Sequence, residues 1–320
     1  MTRRGPAVVV GKHGGPDVLE LHDVDVPEVA GDQALVEVTY AGVNYADIYQ
    51  REGVYPRQVP YVPGGEGAGR VLEVGPEVSS VSPGDRVAWQ GVPGAYARYA
   101  NVPATQLLQI PNEVTDEQAA ALPLQGLTAH YLATSAYAIS PGDTVLIHAG
   151  AGGVGLLLTQ IAKIHGATAI TTVSSPHKAE LSRAAGADHV LGYDDFHAEL
   201  AEQSVDAVYD GVGKSTFERS MKTLRRRGTL VLYGGSSGHV ASVNPLRLTE
   251  SGSITLKRPT LRDFVADRTE LETRFQDLLD WLIEGRLHLH IHRHYRLADA
   301  RTAHRALASR DTVGKLLLAP

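Results

Sequence analysis

With 320 residues, 43% of them apolar, and 33 glycines, the chain can bury a large core and is long enough for two domains. A formal charge of −6, with no Lys/Arg stripe interleaved with aromatics, argues against a nucleic-acid surface; the isolated triplet Arg225, Arg226, Arg227 reads as a solvated helix end. No cysteine occurs, which excludes disulfides, thiolate nucleophiles and thiolate metal sites.

The opening MTRRGPAVVVGKHGG has an apolar run too short for a signal peptide core or a membrane span, so a soluble cytoplasmic protein is expected. From Pro6 to about Pro111 the runs AVVVG, VLELHDV, ALVEVTY, GRVLEVG, DRVAWQG and AYARYANV are broken by Gly, Pro and Asp, the texture of an all-β unit. Within it, AGVNYADIYQREGVYP (41–56) sets three tyrosines, Asn44 and Asp47 after a strand. So polar an insert reads as a candidate reaction centre, or as an N-capped helix whose tyrosines only pack.

From Thr115 the pattern turns helical (TDEQAAALPLQGLTAHYLATSAYA). The strands DTVLIHAG, ATAITTVSS, DHVLGYD, VDAVYDGV and GTLVLYGG then alternate with helices. Apolar strands separated by amphipathic helices imply a parallel sheet covered on both faces. A helix of about five turns (TELETRFQDLLDWLIEGRL), a strand, a short helix and GKLLLAP complete the chain.

The strongest motif is Gly150-Ala-Gly152-Gly153-Val154-Gly155, between the strand TVLIHA and the helix GLLLTQIAKI. In that context it is a dinucleotide fingerprint: glycines permit the tight turn and close approach of a pyrophosphate, which the helix N-terminus attracts. The second strand ends TTVSSPHK, without the acid that would accept from a ribose 2′-hydroxyl. Ser174 and Ser175 can donate to a phosphate, Lys178 brings a positive charge one turn on, and Tyr193 could close the far side of an adenosine pocket. NADPH is favoured over NADH. Ser174 or Ser175 can also serve as a helix N-cap, and the two roles are compatible.

Over nearly its whole length the chain resembles the zinc-free quinone oxidoreductases, the zeta-crystallin-like branch of the medium-chain dehydrogenase/reductase superfamily. The matching stretches are GGPDVLE, GVNYADIYQREGVYP, PGGEGAGRVLEVG, PGDRVAW, AAALPLQGLTAHYL, HAGAGGVG, SRAAGADHVL, DGVG and GGSSG. The resemblance implies an α/β protein: a doubly wound Rossmann sheet that binds NADPH over 125–262, and a GroES-like β-barrel catalytic domain over 1–124, completed by 263–320. It also implies a homodimer or tetramer, for which GSITLKRPTL offers a sheet edge. Zinc-dependent relatives carry a cysteine and a histidine where this chain has Asn44 and Gly65, and the four-cysteine lobe is missing, so no zinc is expected.

By the same resemblance Asn44, Asp47 and Tyr49 lie at the nicotinamide end, Tyr55 at the cleft mouth, and Thr128 beside the cofactor. Asn44 and Tyr49 are expected to donate hydrogen bonds to an acceptor oxygen or to the cofactor amide, Tyr55 to form an aromatic wall, and Asp47 to orient its neighbours. Gly234, Gly235, Ser236 and Ser237, at the carboxyl edge of the sheet, allow close approach to the nicotinamide ribose. Gly314 and Lys315 match a segment near the cofactor but are not counted among the site residues. In LHLHIHRHYR, alternation would put His288, His290, His292 and His294 on one strand face, a possible weak metal chelate but more simply a solvent-facing edge. The expected activity is NADPH-dependent, metal-free quinone reduction. The alternatives are reduction of enals or enones, and a non-catalytic NADPH-binding role of structural or RNA-associated kind.

Overall fold

The computed structural model describes residues 3–200 and 204–320. The chain forms two compact units, one of residues up to Leu124 together with Leu289–Pro320, the other of Gln125–His288. The first crossing runs through β1 (Arg4–Val10), β2 (Leu19–Asp25), β3 (Gln33–Val43), α1 (Tyr45–Arg51), β4 (Glu66–Val74), β5 (Arg86–Gln90), β6 (Tyr99–Pro103), β7 (Leu108–Gln109), α2 (Asp116–Ala121) and α3 (Pro123–Tyr131). There follow β8 (Thr144–His148), α4 (Gly153–Ile164), β9 (Thr168–Val173), α5 (Pro176–Ala184), β10 (His189–Gly192), α6 (Phe196–Glu199), β11 (Val205–Asp210), α7 (Phe217–Thr223), β12 (Leu224–Leu232), α8 (Leu246–Glu250), β13 (Thr255–Lys257) and α9 (Arg268–Ile283). The chain closes with β14 (Ile291–Arg296), α10 (Ala300–Ser309) and β15 (Lys315–Ala319).

In the outer unit β1 and β2 form an antiparallel pair, and a seven-stranded sheet runs β14-β15-β3-β4-β5-β7 with β6 also paired to β3. Its core gathers the inward side chains of β3, β5, β6 and β15, with Val36, Trp89, Tyr96, Val102 and Leu318 all fully buried. In the inner unit six strands run β10-β9-β8-β11-β12-β13, every pairing parallel. The residues Val145, Leu146 and Ile147 of β8 are fully buried, as expected for a strand covered on both faces. Strand order reverses between β8 and β11, the switch point at which open sheets of this kind bind ligands.

Four local expectations need revision. The long helix after Thr115 is interrupted at Pro123, where α3 starts, because proline has no N–H to continue the ladder of α2. The arginine triplet does not end a helix: α7 stops at Thr223 and all three residues lie in β12, at an irregular register against β11, with Arg227 at a φ of 64° and Arg225 paired to Asp206. Helix α9 belongs to the inner unit, whose second boundary falls at His288/Leu289 and not at 262/263. Arg274 ties it to Thr134 Oγ1 at 3.0 Å and Ser135 Oγ at 2.8 Å, and Trp281 stacks on His130 at 5.5 Å.

The fourth concerns the histidines. Only Ile291–Arg296 is strand, with a bulge between Ile291 and Arg293, so His288 and His290 lie outside it and the four do not share one continuous strand face; His288, His292 and His294 are exposed, as the solvent-facing reading expects. Among the described residues no three His, Cys, Asp or Glu side chains are placed to hold a metal ion, and no helix is long and apolar enough to cross a membrane.

Candidate active site

In the outer unit the polar insert folds as helix α1 capped by Asn44, whose backbone is extended. The Asp47 carboxylate reaches back to accept from the Asn44 N–H at 2.8 Å, satisfying one of the donors that a helix start leaves unpaired. The side chain of Asn44 is turned to a buried ion pair between Lys315 and Glu66. Lysine can only donate, so the amide oxygen of Asn44 faces Lys315, at 2.7 Å, and its nitrogen faces Glu66, at 2.9 Å. The second amide hydrogen points to the carbonyl of Gly42 at 3.3 Å. Both N–H groups of Asn44 are thereby committed within the protein, which leaves the amide oxygen a lone pair to accept but no hydrogen to donate to a ligand.

Glu66 is 0% and Lys315 2% exposed. The other oxygen of Glu66 accepts from the backbone N–H of Leu124 at 2.7 Å. The pair fits only because residue 42 is glycine, since a Cβ there would lie 2.2 Å from Glu66 Oε2. A lysine ahead of three buried leucines in KLLLA was the available sequence signal, because a charge in such a run needs a partner. Glu66 carried no local signal at all.

Asp47 is 2% exposed, and burial pushes its carboxyl up to about 6, against the opposing pull of the Asn44 N–H, the Tyr96 hydroxyl and the Lys315 ammonium. Tyr96 Oη donates to Asp47 Oδ2 at 3.1 Å and contacts His304 Nε2 at 3.0 Å. Tyr49, on the next turn of α1, meets Tyr55 edge to face with ring centres 5.1 Å apart, and Tyr55 is 38% exposed. The structure thus gathers Asn44 and Asp47 into one buried network and Tyr49 and Tyr55 into an aromatic pair beside it. Sequence reasoning missed Glu66, Tyr96 and His304, and placed Lys315 near the cofactor without counting it among the site residues.

In the inner unit the glycine turn follows β8 and opens α4, whose N-cap is Gly152 and so brings no side chain to its first amides. At Gly155 a Cβ would lie 2.1 Å from the Ala149 carbonyl, so only glycine lets the helix approach the turn this closely. A cavity of about 420 Å³ lies past the ends of β9 and β10, lined by Ser174, Ser175, Pro176, Leu191 and Tyr193. Lys178 Nζ donates to Ser174 Oγ at 3.2 Å, while Ser175 Oγ caps α5 by accepting from the Lys178 N–H at 3.4 Å. The capping role in this serine pair thus falls on Ser175, and the contact with the Lys178 ammonium on Ser174. Tyr193 Oη accepts from the Ala149 N–H at 3.0 Å, tying the cavity wall to the glycine turn.

Thr128 is buried on α3. Of the Gly234–Ser237 loop, Ser237 Oγ donates to the Val212 carbonyl at 2.7 Å and accepts from the Ser215 N–H at 3.0 Å, so its hydroxyl joins the loops after β11 and β12. Behind the sheet, the buried imidazole of His148 bridges Thr172 Oγ1 at 2.7 Å and Ser220 Oγ at 2.8 Å.

Residues 30–112 match the alcohol dehydrogenase GroES-like domain and residues 153–284 the zinc-binding dehydrogenase family. Quinone oxidoreductase 1 of Escherichia coli is 40% identical over 321 residues, covering 97% of this chain and 98% of that protein. The chain belongs to the quinone oxidoreductase family. A 2-haloacrylate reductase of Burkholderia is 37% identical, covering 98% of each chain. Among solved structures, mycobacterial Rv1454c complexed with NADPH has a TM-score of 0.96 at 44% identity, covering 99% of this chain and 100% of that one. Within this superfamily the α/β sheet of the inner unit is the Rossmann fold and the outer unit the GroES-like fold. At the two places where zinc-dependent relatives have a cysteine and a histidine, Asn44 is held by an ammonium and a carboxylate, and residue 65 is a glycine with no side chain to ligate.

Proposed function

We propose that this chain is an NADPH-dependent reductase of quinones that works without a metal. The observation that carries the reading is the end of β9, where the strand closes on Ser174 without an acid and the Lys178 ammonium reaches that serine, beside a cavity that Ser174 lines and whose one acid, Asp194, comes from the segment after β10, in a chain of the quinone oxidoreductase family. The residues present fit the cofactor. The amides of Gly153, Val154 and Gly155 at the uncapped start of α4 would hold the pyrophosphate; Ser174 and Lys178 would hold the 2′-phosphate; and Tyr193 and Leu191 would wall the adenosine.

Bound NADPH supplies a hydride from the nicotinamide ring. The chain's own residues position and exclude water. Asn44, saturated as a donor, accepts through its amide oxygen; Tyr49 offers its hydroxyl to a quinone oxygen; Tyr55 forms an apolar wall; Asp47 holds the start of α1. Thr128 and the loop Gly234, Gly235, Ser236 serve the nicotinamide side, with Ser237 fixing that loop. The reduced oxygens of a quinone take their protons from water, so no acid is required.

A second reading, reduction of enals, enones or haloacrylates, is favoured by the likeness to 2-haloacrylate reductase. There a proton must reach carbon, and Tyr49 is the proposed donor. The cytoplasm is the proposed compartment, and a homodimer joined along β13, the last strand of its sheet, the proposed assembly.

The deciding experiment follows NADPH oxidation by the pure protein with quinones, enones, haloacrylates and aldehydes, before and after dialysis against a strong chelator. Quinone turnover unaffected by the chelator is expected; loss of turnover restored by zinc would overturn the metal-free reading. Tyr49→Phe separates the two substrate classes: a loss of about tenfold or less fits a positioning hydrogen bond, and a loss of roughly a hundredfold or more on enones marks a proton donor.

A further inference from the structure

A buried chain of hydrogen bonds runs from Asp47 away from the aromatic pair. Arg51, 1% exposed, sends Nη1 to His304 Nδ1 at 3.2 Å and Nε to the Gly14 carbonyl at 2.9 Å, and it pairs with Glu52. A guanidinium can only donate, so His304 Nδ1 accepts and the imidazole proton sits on Nε2. Nε2–H therefore donates to Tyr96 Oη at 3.0 Å, which turns the Tyr96 hydroxyl proton to Asp47 Oδ2 at 3.1 Å. Every link has one direction. The far end is a cation that does not release a proton, so the chain cannot relay protons from solvent through Arg51; what it can do is fix where the Asp47 carboxylate lies and how strongly it holds its charge.

We propose that Tyr96 and His304 are positioning residues of the quinone-reducing site, holding Asp47 as an oriented anion that pins the Asn44 N–H and so sets the start of α1 on which Asn44 and Tyr49 stand. The inference rests on the functional reading above. The groups around Asp47 are known from each side: Glu66 of β4 raises its proton affinity, Lys315 of β15 and the Tyr96 hydroxyl lower it. Tyr61 faces it as well, while Arg51 and His304 act on it through Tyr96. His304, with burial and the Arg51 charge pushing it down to about 3, stays neutral, so the direction of the chain is kept through the range in which Asp47 titrates. Tyr96 is the group whose removal changes the chain most simply: phenylalanine fills the same core space and lacks only the hydroxyl, whose loss takes a donor from Asp47 and an acceptor from the His304 Nε2–H.

The test is a carboxyl titration of Asp47 by ¹³C NMR in the ligand-free protein, assigned with Asp47→Asn, beside pH profiles of kcat/KM for quinone reduction. Tyr96→Phe should raise the Asp47 midpoint by about one to two pH units, the worth of one hydrogen bond to a charged group, and move the acid limb of kcat/KM upward by the same amount with NADPH affinity unchanged. His304→Gln, whose amide can accept from Arg51 and donate to Tyr96, should keep both close to wild type. If Tyr96→Phe does not fold, His304→Leu takes its place, with an upward shift still expected. A midpoint that stays put in a folded variant overturns the inference, as does a midpoint that moves while the kcat/KM profile does not. A wild type that reduces no quinone overturns the function proposed above, and the titration still decides whether the chain governs Asp47.

Discussion

Under the proposed function, Lys178 is the residue on which coenzyme choice turns. Its ammonium reaches Ser174 Oγ at 3.2 Å, and Ser174 lines the cavity past β9. A 2′-phosphate placed there gains a charge-assisted hydrogen bond of about 1.5–3 kcal/mol, equivalent to roughly tenfold to a hundredfold in affinity. NADH has no phosphate to lose. Lys178→Ala should therefore raise KM for NADPH by that factor, leave KM for NADH unchanged, and hardly alter kcat, because the contact is remote from the reacting carbon. The ratio of kcat/KM for the two coenzymes in wild type and variant checks this; a ratio that does not move would misplace the phosphate pocket. The residue scale also shows why Asn44 was only half legible. Its cap position before YADIYQR could be read locally, but the loss of its donors to Glu66 and Gly42 depends on strands that a local window does not contain.

At the scale of elements, the Lys315–Glu66 pair joins the start of β15 to the start of β4 through the Asn44 cap of α1. Breaking a buried ion pair by removing one partner strands the other charge and costs about 3–5 kcal/mol, whereas replacing both with uncharged groups of similar shape is often close to neutral. Glu66→Gln alone and Lys315→Met alone should each lower the urea midpoint strongly. The double variant, in which glutamine still accepts from the Leu124 N–H, should recover most of the loss. Equal and additive losses in all three proteins would show that the two charges do not depend on each other. Elsewhere elements changed character under tertiary context: the arginine triplet has a helical neighbourhood in sequence yet lies in β12, in the irregular stretch between the Leu224 and Thr229 pairings to β11, where Arg225 meets Asp206 and the Arg227 N–H donates to the Gly252 carbonyl at 2.8 Å, a backbone partner that a frayed helix end lacks.

At the scale of the whole molecule, acid stability should carry two opposed contributions from one buried chain. Asp47 has its carboxyl raised to about 6, above its unfolded value, so the folded state binds the proton more tightly and stability from this group rises as pH falls from about 6 to about 4, by roughly 3 kcal/mol. His304 is depressed to about 3. The unfolded state takes up that proton first, and stability from this group is lost as pH falls below about 6.5. The two slopes cancel between about pH 6 and 4. Urea unfolding of wild type, Asp47→Asn and His304→Gln across that window should show His304→Gln gaining on wild type by about 1.4 kcal/mol per pH unit and Asp47→Asn losing ground at the same rate. Parallel stability curves for all three would contradict the opposed titration.

Read alone, the sequence determined the class of each unit, the glycine turn, the serine pair that replaces an acid, and the polar insert before α1, since each is a pattern of period, spacing or capping within a stretch of some twenty residues. Tertiary structure decided what those groups can do. Glu66 and Lys315 are separated by 249 positions and Tyr96 and His304 by 208, and no local pattern ties them together. Their pairing follows from β15 lying beside β3, from α10 packing near α1, and from a glycine at position 42 that leaves room for the ion pair. The strand β14 starts only at Ile291 and carries a bulge, so a four-histidine run that strict alternation would have placed on one strand does not lie on one. Local chemistry is written in neighbouring residues, but the state of a buried charge depends on whatever the fold brings within hydrogen-bonding distance of it.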